Sequence, residues 1–436
     1  MDVGMAERSE RAVLAVIHGP GGWTVDDDLD ELAELARGAG AEVVGTVVQR
    51  HGRYDPATLF GQGKVDELRS AMAAGAADLA LCNRDLSPRQ QLRLEEAVHG
   101  RVVDRTRLIL DIFSRRARSR EGRIQVELAQ FLYLLPRLSG LVEEMGRTGG
   151  GIGTRGPGET QLESDRRRVR ARIASLRAQL GEVAETRHVQ RRSAPEGTLR
   201  LALVGYTNAG KSTLHRALTG SDVLAADALF ATLDPTTRVL HLPHNRRVLL
   251  SDTVGFIHDL PPHLVAAFRA TLEEVTTADL LLEVVDAAHP RCEEQRRAVE
   301  GVLADLQALH VPRVLVWNKM DRVAPWPAGG PDGGPNLEAE VPAVRVSALS
   351  GAGLAELRDL IAAHLPDARI EVRVRLGLGA EALVAAVRRE GEIIRLAYDG
   401  GGIDLVARSA PALAARLRAA AFDAEGTGTQ AEPRQP

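Results

Sequence analysis

The residues best suited to chemistry form a glycine-rich segment that ends in a lysine and a serine. Residues 205–212 read G-Y-T-N-A-G-K-S, a match to G-x-x-x-x-G-K-[ST]. Leu199 to Val204 precede this segment as a buried-strand pattern, and Lys211 to Leu218 follow as a helical one. In that setting backbone N–H groups close around phosphate at a positive helix N-terminus. We expect Lys211 to reach the β and γ phosphates and the Ser212 hydroxyl to bind Mg²⁺.

A second motif with metal and phosphate chemistry is D-T-V-G at residues 252–255. It follows Val248 to Ser251, another apolar strand pattern. A carboxylate at the end of this strand is placed to hold the Mg²⁺ through water, and the Gly255 N–H can meet the γ-phosphate. Lys211 and Gly255 are therefore candidate catalytic groups.

A third motif, N-K-M-D at 318–321, follows the strand pattern V-L-V-W at 314–317. Alone, it is explained equally well as a junction between a strand and a turn. A carboxylate such as Asp321, however, accepts two hydrogen bonds from the N1–H and N2–H₂ edge of guanine, and adenine has no such edge. Together with S-A-L at 347–349, the four motifs in this order indicate a guanine-nucleotide switch.

These motifs define the expected nucleotide contacts. They are Gly205, Tyr206, Thr207, Asn208, Ala209, Gly210, Lys211, Ser212, Asp252, Thr253, Val254, Gly255, Asn318, Lys319, Met320, Asp321, Ser347, Ala348 and Leu349.

Lysine usage supports the same assignment. Among 55 basic residues the lysines are Lys64, Lys211 and Lys319, and two of them lie in these motifs. A compact ammonium on a flexible stem and a planar guanidinium are not interchangeable at phosphates or against a base. Lys64, in F-G-Q-G-K, is either a retained functional lysine or the start of an ordinary helix.

Composition places the chain among intracellular multidomain proteins. With 436 residues, 44% of them hydrophobic, it can hold two to four domains with proper cores. Cys82 and Cys292 form no disulfide framework or metal cluster, which suits a reducing cytoplasm. The longest early apolar run, Ala12 to Ile17, is too short for a signal sequence or a membrane span.

Charge is unevenly distributed although the net charge is only −4. Arg101 to Arg192 contain 20 arginines and 11 acidic residues, so this segment carries +9 and the remainder −13. The asymmetry indicates a nucleic-acid partner for the middle of the chain.

Residues 1–105 are expected to form an α/β N-terminal domain. Short apolar strands alternate with helical patterns, which predicts a parallel sheet. The strand patterns are 13–17, 43–48 and 79–81, and the helical ones are 29–37, 65–74 and 88–98.

Residues 106–195 are expected to form a helical linker. Apolar residues recur there at heptad spacing in two segments, which predicts an antiparallel helical hairpin. The two seams are Ile124, Leu128, Phe131, Leu135 and Leu138, and Val169, Ile173, Leu176, Leu180 and Val183.

A glycine-rich loop, residues 146–158, separates the two segments. Composition favours a flexible linker. Arg147, Arg155 and the basic run 166–172 favour a hairpin tip that brings backbone close to nucleic-acid phosphates and bases. A solvated helix face is the alternative for the basic run.

The nucleotide domain is expected at 196–368, and Ser193 to Thr198 read as the linker that leads into it. Arg322 to Glu340 are rich in Pro and Gly and read as an insertion. Residues 369–422 predict a small α+β domain with strands at 370–375, 392–397 and 403–407 and helices at 381–389 and 411–421. We expect a disordered tail at 423–436.

Across nearly its whole length the sequence resembles the HflX-type ribosome-associated GTPases. The resemblance is carried by F-G-Q-G-K-V-D-E-L, L-S-P-R-Q-Q, V-V-D-R-T-R-L-I-L-D-I-F-S-R-R-A, Q-V-E-L-A-Q, G-P-G-E-T-Q-L-E-S-D-R-R-R, and G-Y-T-N-A-G-K-S followed by F-A-T-L-D-P-T-T-R. It implies a multidomain α/β fold with an α/β N-terminal domain, a helical linker and a Ras-like P-loop GTPase domain, here with a C-terminal domain. It also implies that the chain hydrolyses GTP and binds the large ribosomal subunit, as members of the family do, some of which split stalled or idle 70S ribosomes. We expect a monomer in the cytoplasm.

By matching position, the resemblance makes F-A-T-L-D the first switch. The residues are Phe230, Ala231, Thr232, Leu233 and Asp234. Thr232 would supply the second Mg²⁺ hydroxyl and act in catalysis, with Thr236 and Thr237 as less favoured candidates.

Phe256 stands where Ras-type switches place a water-orienting glutamine, so intrinsic hydrolysis is expected to be slow. Asn208 resembles the asparagine that helps to hold K⁺ in potassium-dependent relatives. The alternative function, also taken from the resemblance, is an ATP-dependent RNA-remodelling protein that acts through its N-terminal domain and Lys64.

Overall fold

The computed structural model describes most of the chain, with gaps between the described segments. The described residues are 9–19, 23–50, 54–148, 157–192, 198–220, 229–259, 261, 264, 267–323, 341–366 and 369–421. No helix among them combines the length and apolarity needed to span a membrane. The segments 149–156, 193–197, 324–340 and 422–436 lie outside this description, so the expectations for them stay predictions. Residues 146–148 and 157–158, predicted as the ends of the glycine-rich loop, are instead helical, because the two long helices continue into it.

The N-terminal sheet is parallel, as the alternating pattern predicts. Its strands are β1 (Glu10–His18), β2 (Ala41–Arg50), β3 (Leu79–Cys82) and β4 (Arg101–Val103), in the order β2-β1-β3-β4. The helices between them are α1 (Val25–Gly38), α2 (Gln62–Gly75) and α3 (Pro88–Val98). Capping boxes at Thr24 and Ser87 begin α1 and α3 by binding backbone N–H groups that have no partner within the helix. The sequence did not reveal β4, because three residues are too few to show a period.

Helix α4 (Arg105–Arg116) has seven buried residues among its twelve, and five of the seven are apolar. Asp104 caps its N-terminus by accepting a hydrogen bond from the Arg107 N–H at 2.8 Å. Ile109, Ile112 and Phe113 are almost completely buried and share one apolar cluster with residues of the first sheet and of the second sheet described below. The helix therefore joins two layers instead of ending the first one.

The two heptad segments form a helical hairpin, α5 (Arg120–Thr148) and α6 (Pro157–Arg192). Nine of the ten predicted seam residues belong to one apolar cluster, and Val183 is the exception. Ion pairs link Arg187 to Glu121 at 2.7 Å and Arg172 to Glu127 at 2.7 Å, so the end of α6 lies beside the start of α5. This confirms the antiparallel arrangement.

The second sheet has six strands in the order β10-β9-β8-β5-β7-β6, and only β6 runs antiparallel to its neighbour. The strands are β5 (Arg200–Gly205), β6 (Thr236–Leu242), β7 (Arg246–Asp252), β8 (Leu280–Asp286), β9 (Arg313–Asn318) and β10 (Ala343–Arg345). Its helices are α7 (Lys211–Thr219), α8 (Arg269–Thr276), α9 (Cys292–Asp305) and α10 (Leu354–His364). Because the carboxyl ends of parallel strands meet at one edge, the predicted motifs meet there.

The C-terminal unit is a three-stranded antiparallel sheet in the order β11-β13-β12. Its elements are β11 (Ile370–Leu376), α11 (Glu381–Glu390), β12 (Glu392–Asp399), β13 (Gly402–Ser409) and α12 (Pro411–Ala419). They agree with the predicted small α+β domain. The side chain of Asn245, in the turn between β6 and β7, donates to the Arg388 carbonyl at 2.6 Å and so ties this unit to the second sheet.

We expect the hairpin to depend on its buried seam. Leu176→Ala should destabilise it by about 2 to 5 kcal/mol, because Leu176 is completely buried between the helices. Leu134→Ala on α5 is the matched control, since Leu134 is 40% exposed. Hydrogen exchange of the α5 and α6 amides measures the effect; equal protection in the two variants would contradict the seam assignment.

Candidate nucleotide-binding site

Two glycines shape the loop that follows β5. Gly205 has φ +149°, and a Cβ added there would lie 2.2 Å from the Val284 carbonyl oxygen on β8. Gly210 has φ +92°, and its Cβ would lie 2.3 Å from Asn318 Nδ2. Only glycine allows the backbone to turn this closely between two strand ends. The N–H groups at the start of α7 are thereby presented to an anion.

Lys211 begins α7 and folds back over this loop. Its Nζ donates to the carbonyl oxygens of Gly205 at 2.9 Å and Tyr206 at 2.8 Å. Burial lowers the pKa of Lys211 to about 8, although the Asp252 carboxylate opposes the shift. The ammonium is therefore held in place at the phosphate loop.

Three side-chain oxygens converge beside Lys211. Ser212 Oγ lies 2.7 Å from both Thr232 Oγ1 and Asp252 Oδ2, and Thr232 Oγ1 lies 2.8 Å from Asp252 Oδ2. The other carboxylate oxygen of Asp252, Oδ1, is buried without a partner. Oxygen-only donors with an unsatisfied carboxylate oxygen suit Mg²⁺, which binds few protein ligands and retains water.

The structure also separates Thr232 from the alternative threonines. Thr236 and Thr237 lie in β6, where Thr237 Oγ1 contacts Ser251 Oγ at 2.8 Å. Of the three hydroxyls, it is Thr232 that hydrogen-bonds to Ser212.

The N-K-M-D segment lies at the other end of the groove. Asn318 is buried and braces two loops, since its Nδ2 donates to the Ala209 carbonyl at 2.9 Å and its Oδ1 accepts from the Ala348 N–H at 3.0 Å. Asp321 is exposed and accepts from Ser347 Oγ at 2.5 Å. Lys319 Nζ pairs with Asp286 at 2.8 Å. The Asp321 carboxylate is thus held by Ser347 and is also exposed, so it can accept hydrogen bonds from the donor edge of a base.

One groove contains most of the residues that the motifs and the resemblance pick out. It is lined by Thr207, Asn208, Gly210, Lys211, Ser212, Phe230, Ala231, Thr232, Thr253, Gly255, Asn318, Lys319, Asp321, Ala348 and Leu349. Thr213 and Arg322 also line it, and sequence reasoning missed them although each directly follows a motif. The remaining expected residues, which do not line it, are Gly205, Tyr206, Ala209, Leu233, Asp234, Asp252, Val254, Met320 and Ser347.

Several residues outside the lining have a different role. Met320 packs against an apolar cluster under β9, and Leu233 and Val254 are buried. The Tyr206 hydroxyl donates to Glu31 of α1 and accepts from the His258 N–H at 2.9 Å, and burial raises its pKa. Tyr206 thus connects the phosphate loop to the N-terminal domain.

Phe256 is completely buried. Its backbone closes on the phosphate loop, with Thr207 N–H donating to the Phe256 carbonyl at 2.7 Å and Phe256 N–H donating to the Gly205 carbonyl at 3.1 Å. Gly255 consequently lies against Thr207 and Lys211, where a Cβ would meet Thr207 Cγ2 at 2.8 Å. The side chain at the glutamine position is therefore part of the core and offers no hydrogen bond to a water molecule.

The first switch and the segment 252–263, which begins with D-T-V-G and is expected to be the second switch, both have residues that pack against the N-terminal half of the chain. Phe113 of α4 contacts Phe230 edge-on at 4.7 Å between ring centroids and Phe268 at 4.8 Å. Arg84 pairs with Asp259 at 3.0 Å. Sequence reasoning missed these contacts, because periodicity within an element does not identify its partner across domains.

Three family models match consecutive parts of this chain. Family models described as GTP-binding GTPase N-terminal, GTP-binding GTPase Middle Region and 50S ribosome-binding GTPase match residues 26–114, 116–194 and 200–319. The chain is 44% identical over 416 residues to the GTPase HflX of Caldanaerobacter subterraneus, covering 95% of this chain and 94% of that protein. It is 42% identical over 374 residues to the GTPase HflX of Escherichia coli, covering 85% and 86%.

Solved structures include a GTP-binding protein from Sulfolobus solfataricus in complex with GDP. It is 22% identical, covers 81% of this chain and 98% of its own, and has a TM-score of 0.42. The family assignment rests on the sequence matches, which extend over all but the ends of the chain: this protein belongs to the HflX family of GTPases.

Proposed function

We propose that this GTPase binds Mg²⁺ and GTP in the groove described above and acts on the large ribosomal subunit, splitting stalled or idle 70S ribosomes. The proposal rests on one groove at the ends of adjacent strands. It is lined or bordered by Lys211, by the side-chain oxygens of Ser212, Thr232 and Asp252, and by Asp321.

Each group has a distinct chemical role in this proposal. Lys211 and the loop N–H groups bind the β and γ phosphates, and the Gly255 N–H approaches the γ-phosphate. Ser212 and Thr232 would hold Mg²⁺ by their hydroxyls, with Asp252 behind them; the ion neutralises charge on the phosphates when bound. The Asp321 carboxylate accepts the N1–H and N2–H₂ donors of guanine.

The proposal assigns completion of the catalytic site to the partner. Phe256 is buried and cannot orient the attacking water, so turnover by the isolated protein should be slow. A subunit that fixes the second switch and excludes stray water would raise the rate.

The arginine-rich face of α6 supports a ribosomal partner. Arg167, Arg168 and Arg170 are exposed on this helix, and Arg168 forms a long ion pair, 3.4 Å, with Asp165. Such a face can neutralise RNA phosphates. The relatives' family model is described as a 50S ribosome-binding GTPase, which agrees with this partner. In the proposal the protein acts as a cytoplasmic monomer, with the glycine-rich residues between α5 and α6 reaching towards the peptidyl-transferase region.

The ATP-dependent alternative has weaker support. Lys64 Nζ forms a surface ion pair with Glu67 at 2.7 Å, near the start of α2. This contact agrees with an ordinary helix start, and we therefore do not favour nucleotide chemistry at Lys64.

Removing the phosphate or metal ligand should abolish hydrolysis. Lys211→Ala and Ser212→Ala each delete a direct contact, so we expect single-turnover GTP hydrolysis to fall by at least roughly 100-fold. Thr219→Ala at the far end of α7 is the control and should keep the parent rate. Undiminished hydrolysis in either site variant would refute the assignment.

Guanine selection should depend on Asp321. Asp321→Asn replaces the acceptor of two donors, so GTP affinity should fall by about 10- to 100-fold while xanthosine triphosphate affinity improves. Asp359→Asn, on the exposed side of α10, should change neither affinity. Equilibrium titration with both nucleotides measures this change in preference. Equal GTP affinity in Asp321→Asn and the parent would contradict the role of Asp321.

Large subunits should stimulate GTP turnover through the α6 arginines. If the subunit only orders the switch and adds no charge to the site, the rate of GTP turnover should rise by less than the roughly 10³- to 10⁵-fold seen when a partner supplies an arginine. Changing Arg166, Arg167 and Arg168 to Ala should weaken the stimulation, because phosphate contacts are lost. In a matched triple variant Arg373, Arg389 and Arg395 of the C-terminal unit are changed to Ala. It loses the same charge, and its GTP turnover should still be stimulated by large subunits as in the parent.

Multiple-turnover assays with and without large subunits test this prediction. Rates that do not respond to the subunit would remove the ribosome as activator. Running the same assays in K⁺ and in Na⁺ tests the role of Asn208, and equal rates in the two salts would exclude it.

A further inference from the structure

Asp234 belongs to the first switch segment but faces away from the nucleotide groove. One carboxylate oxygen, Oδ2, accepts hydrogen bonds from the Arg118 N–H at 2.9 Å and the Ser119 N–H at 2.7 Å. The other, Oδ1, accepts from the Ser119 hydroxyl. A switch residue of the GTPase domain is therefore bound to the residues directly before α5.

The contact is built into the start of that helix. Ser119 also accepts the Gly122 N–H at 2.8 Å, as an N-cap residue does. A Cβ added to Gly122 would lie 2.1 Å from Asp234 Oδ1, so glycine is required for the carboxylate to approach. A negative carboxylate at the positive end of a 29-residue helix is electrostatically favourable.

Thr232 lies only two residues from Asp234. Between them Leu233 is buried in the apolar cluster shared with α4, and Phe230 on the other side packs against Phe113. The segment that carries the metal-site hydroxyl is thus held at both ends by α4 and the start of α5, outside the GTPase sheet. Two residues span at most about 7 Å, so a shift at Asp234 is transmitted to Thr232.

Helix α5 extends this connection to the hairpin. It is about 43 Å long at 1.5 Å per residue. Partway along, Arg137 pairs with the fully buried Asp104 at 2.6 Å and stacks over the Tyr133 ring, which fixes the helix to the N-terminal domain. The hairpin cannot tilt without straining either this anchor or the contact with Asp234.

We propose that Asp234 is a positioning residue for GTP hydrolysis: by holding the start of α5 it sets the place of Thr232 at the metal site and couples that site to the hairpin. The positioning step is independent of any partner. The coupling to ribosome binding rests on the proposed function, and reciprocity requires that the subunit and the nucleotide alter each other's affinity equally.

The test compares Asp234→Asn and Ser119→Ala with two controls. Ser119→Thr keeps the hydroxyl, and Ser114→Ala removes an exposed hydroxyl of α4 that bonds only the Asp111 carbonyl among the described contacts. The readout is the Mg²⁺ concentration that half-maximally slows release of a fluorescent GTP analogue, together with GDP affinity. Hydrogen exchange at residues 120–124 is measured with the GTP analogue and with GDP.

We expect both test variants to raise the Mg²⁺ midpoint by roughly tenfold, because a charged hydrogen-bond acceptor or its partner is lost. GDP affinity should stay within about twofold, since GDP binding does not use the first switch hydroxyl. The analogue-dependent protection of residues 120–124 should disappear. Both controls should behave as the parent.

Unchanged Mg²⁺ midpoints in the two variants would overturn the proposal. An equal loss of GDP and analogue affinity would also overturn it, because that result assigns the contact to stability alone. Large-subunit affinity in the two nucleotide states forms a separate arm. If the parent fails to bind subunits the proposed function fails, whereas the Mg²⁺ midpoint still decides the role of Asp234.

Discussion

The arrangement of this protein depends on apolar residues of the GTPase domain being buried against the N-terminal half of the chain. One cluster runs from Leu14 and Val16 in the first sheet, through Phe113 of α4, to Phe230 and Phe256 beside the phosphate loop. Burying aromatic side chains contributes both the area term and favourable edge-on ring contacts. Separating the two domains would expose these residues, so the switches are shaped by a surface outside their own domain.

Three polar side chains inside this contact, Arg105, Glu31 and Tyr206, are paired with one another. Arg105 is 7% exposed and donates to Glu31 at 2.5 Å, and Glu31 also accepts from Tyr206. Breaking one partner of such a pair leaves an uncompensated buried charge, which is more costly than losing the pair as a unit. The network therefore favours one relative placement of α1, α4 and the phosphate loop.

The same constraint bears on the proposal that a partner completes the catalytic site. Phe256 serves the interdomain core and cannot serve the attacking water. Helix α5 begins against Asp234 of the GTPase domain and is anchored again at Arg137. In the proposed function an external partner would act on the site without contacting the nucleotide, by moving or fixing this helix.

The sequence by itself determined the elements and the chemistry. Motif spacing identified the phosphate loop and the N-K-M-D segment, alternation predicted the parallel first sheet, and heptad spacing predicted the hairpin, because these signals are local along the chain. Among Thr232, Thr236 and Thr237 the sequence alone left a choice, and only the fold brought Thr232 to Ser212. The sequence also could not show that Asp234 accepts hydrogen bonds from Ser119 or that Phe113 contacts Phe230. Those pairings join residues more than a hundred positions apart, and they depend on how separate elements pack, which no local period records.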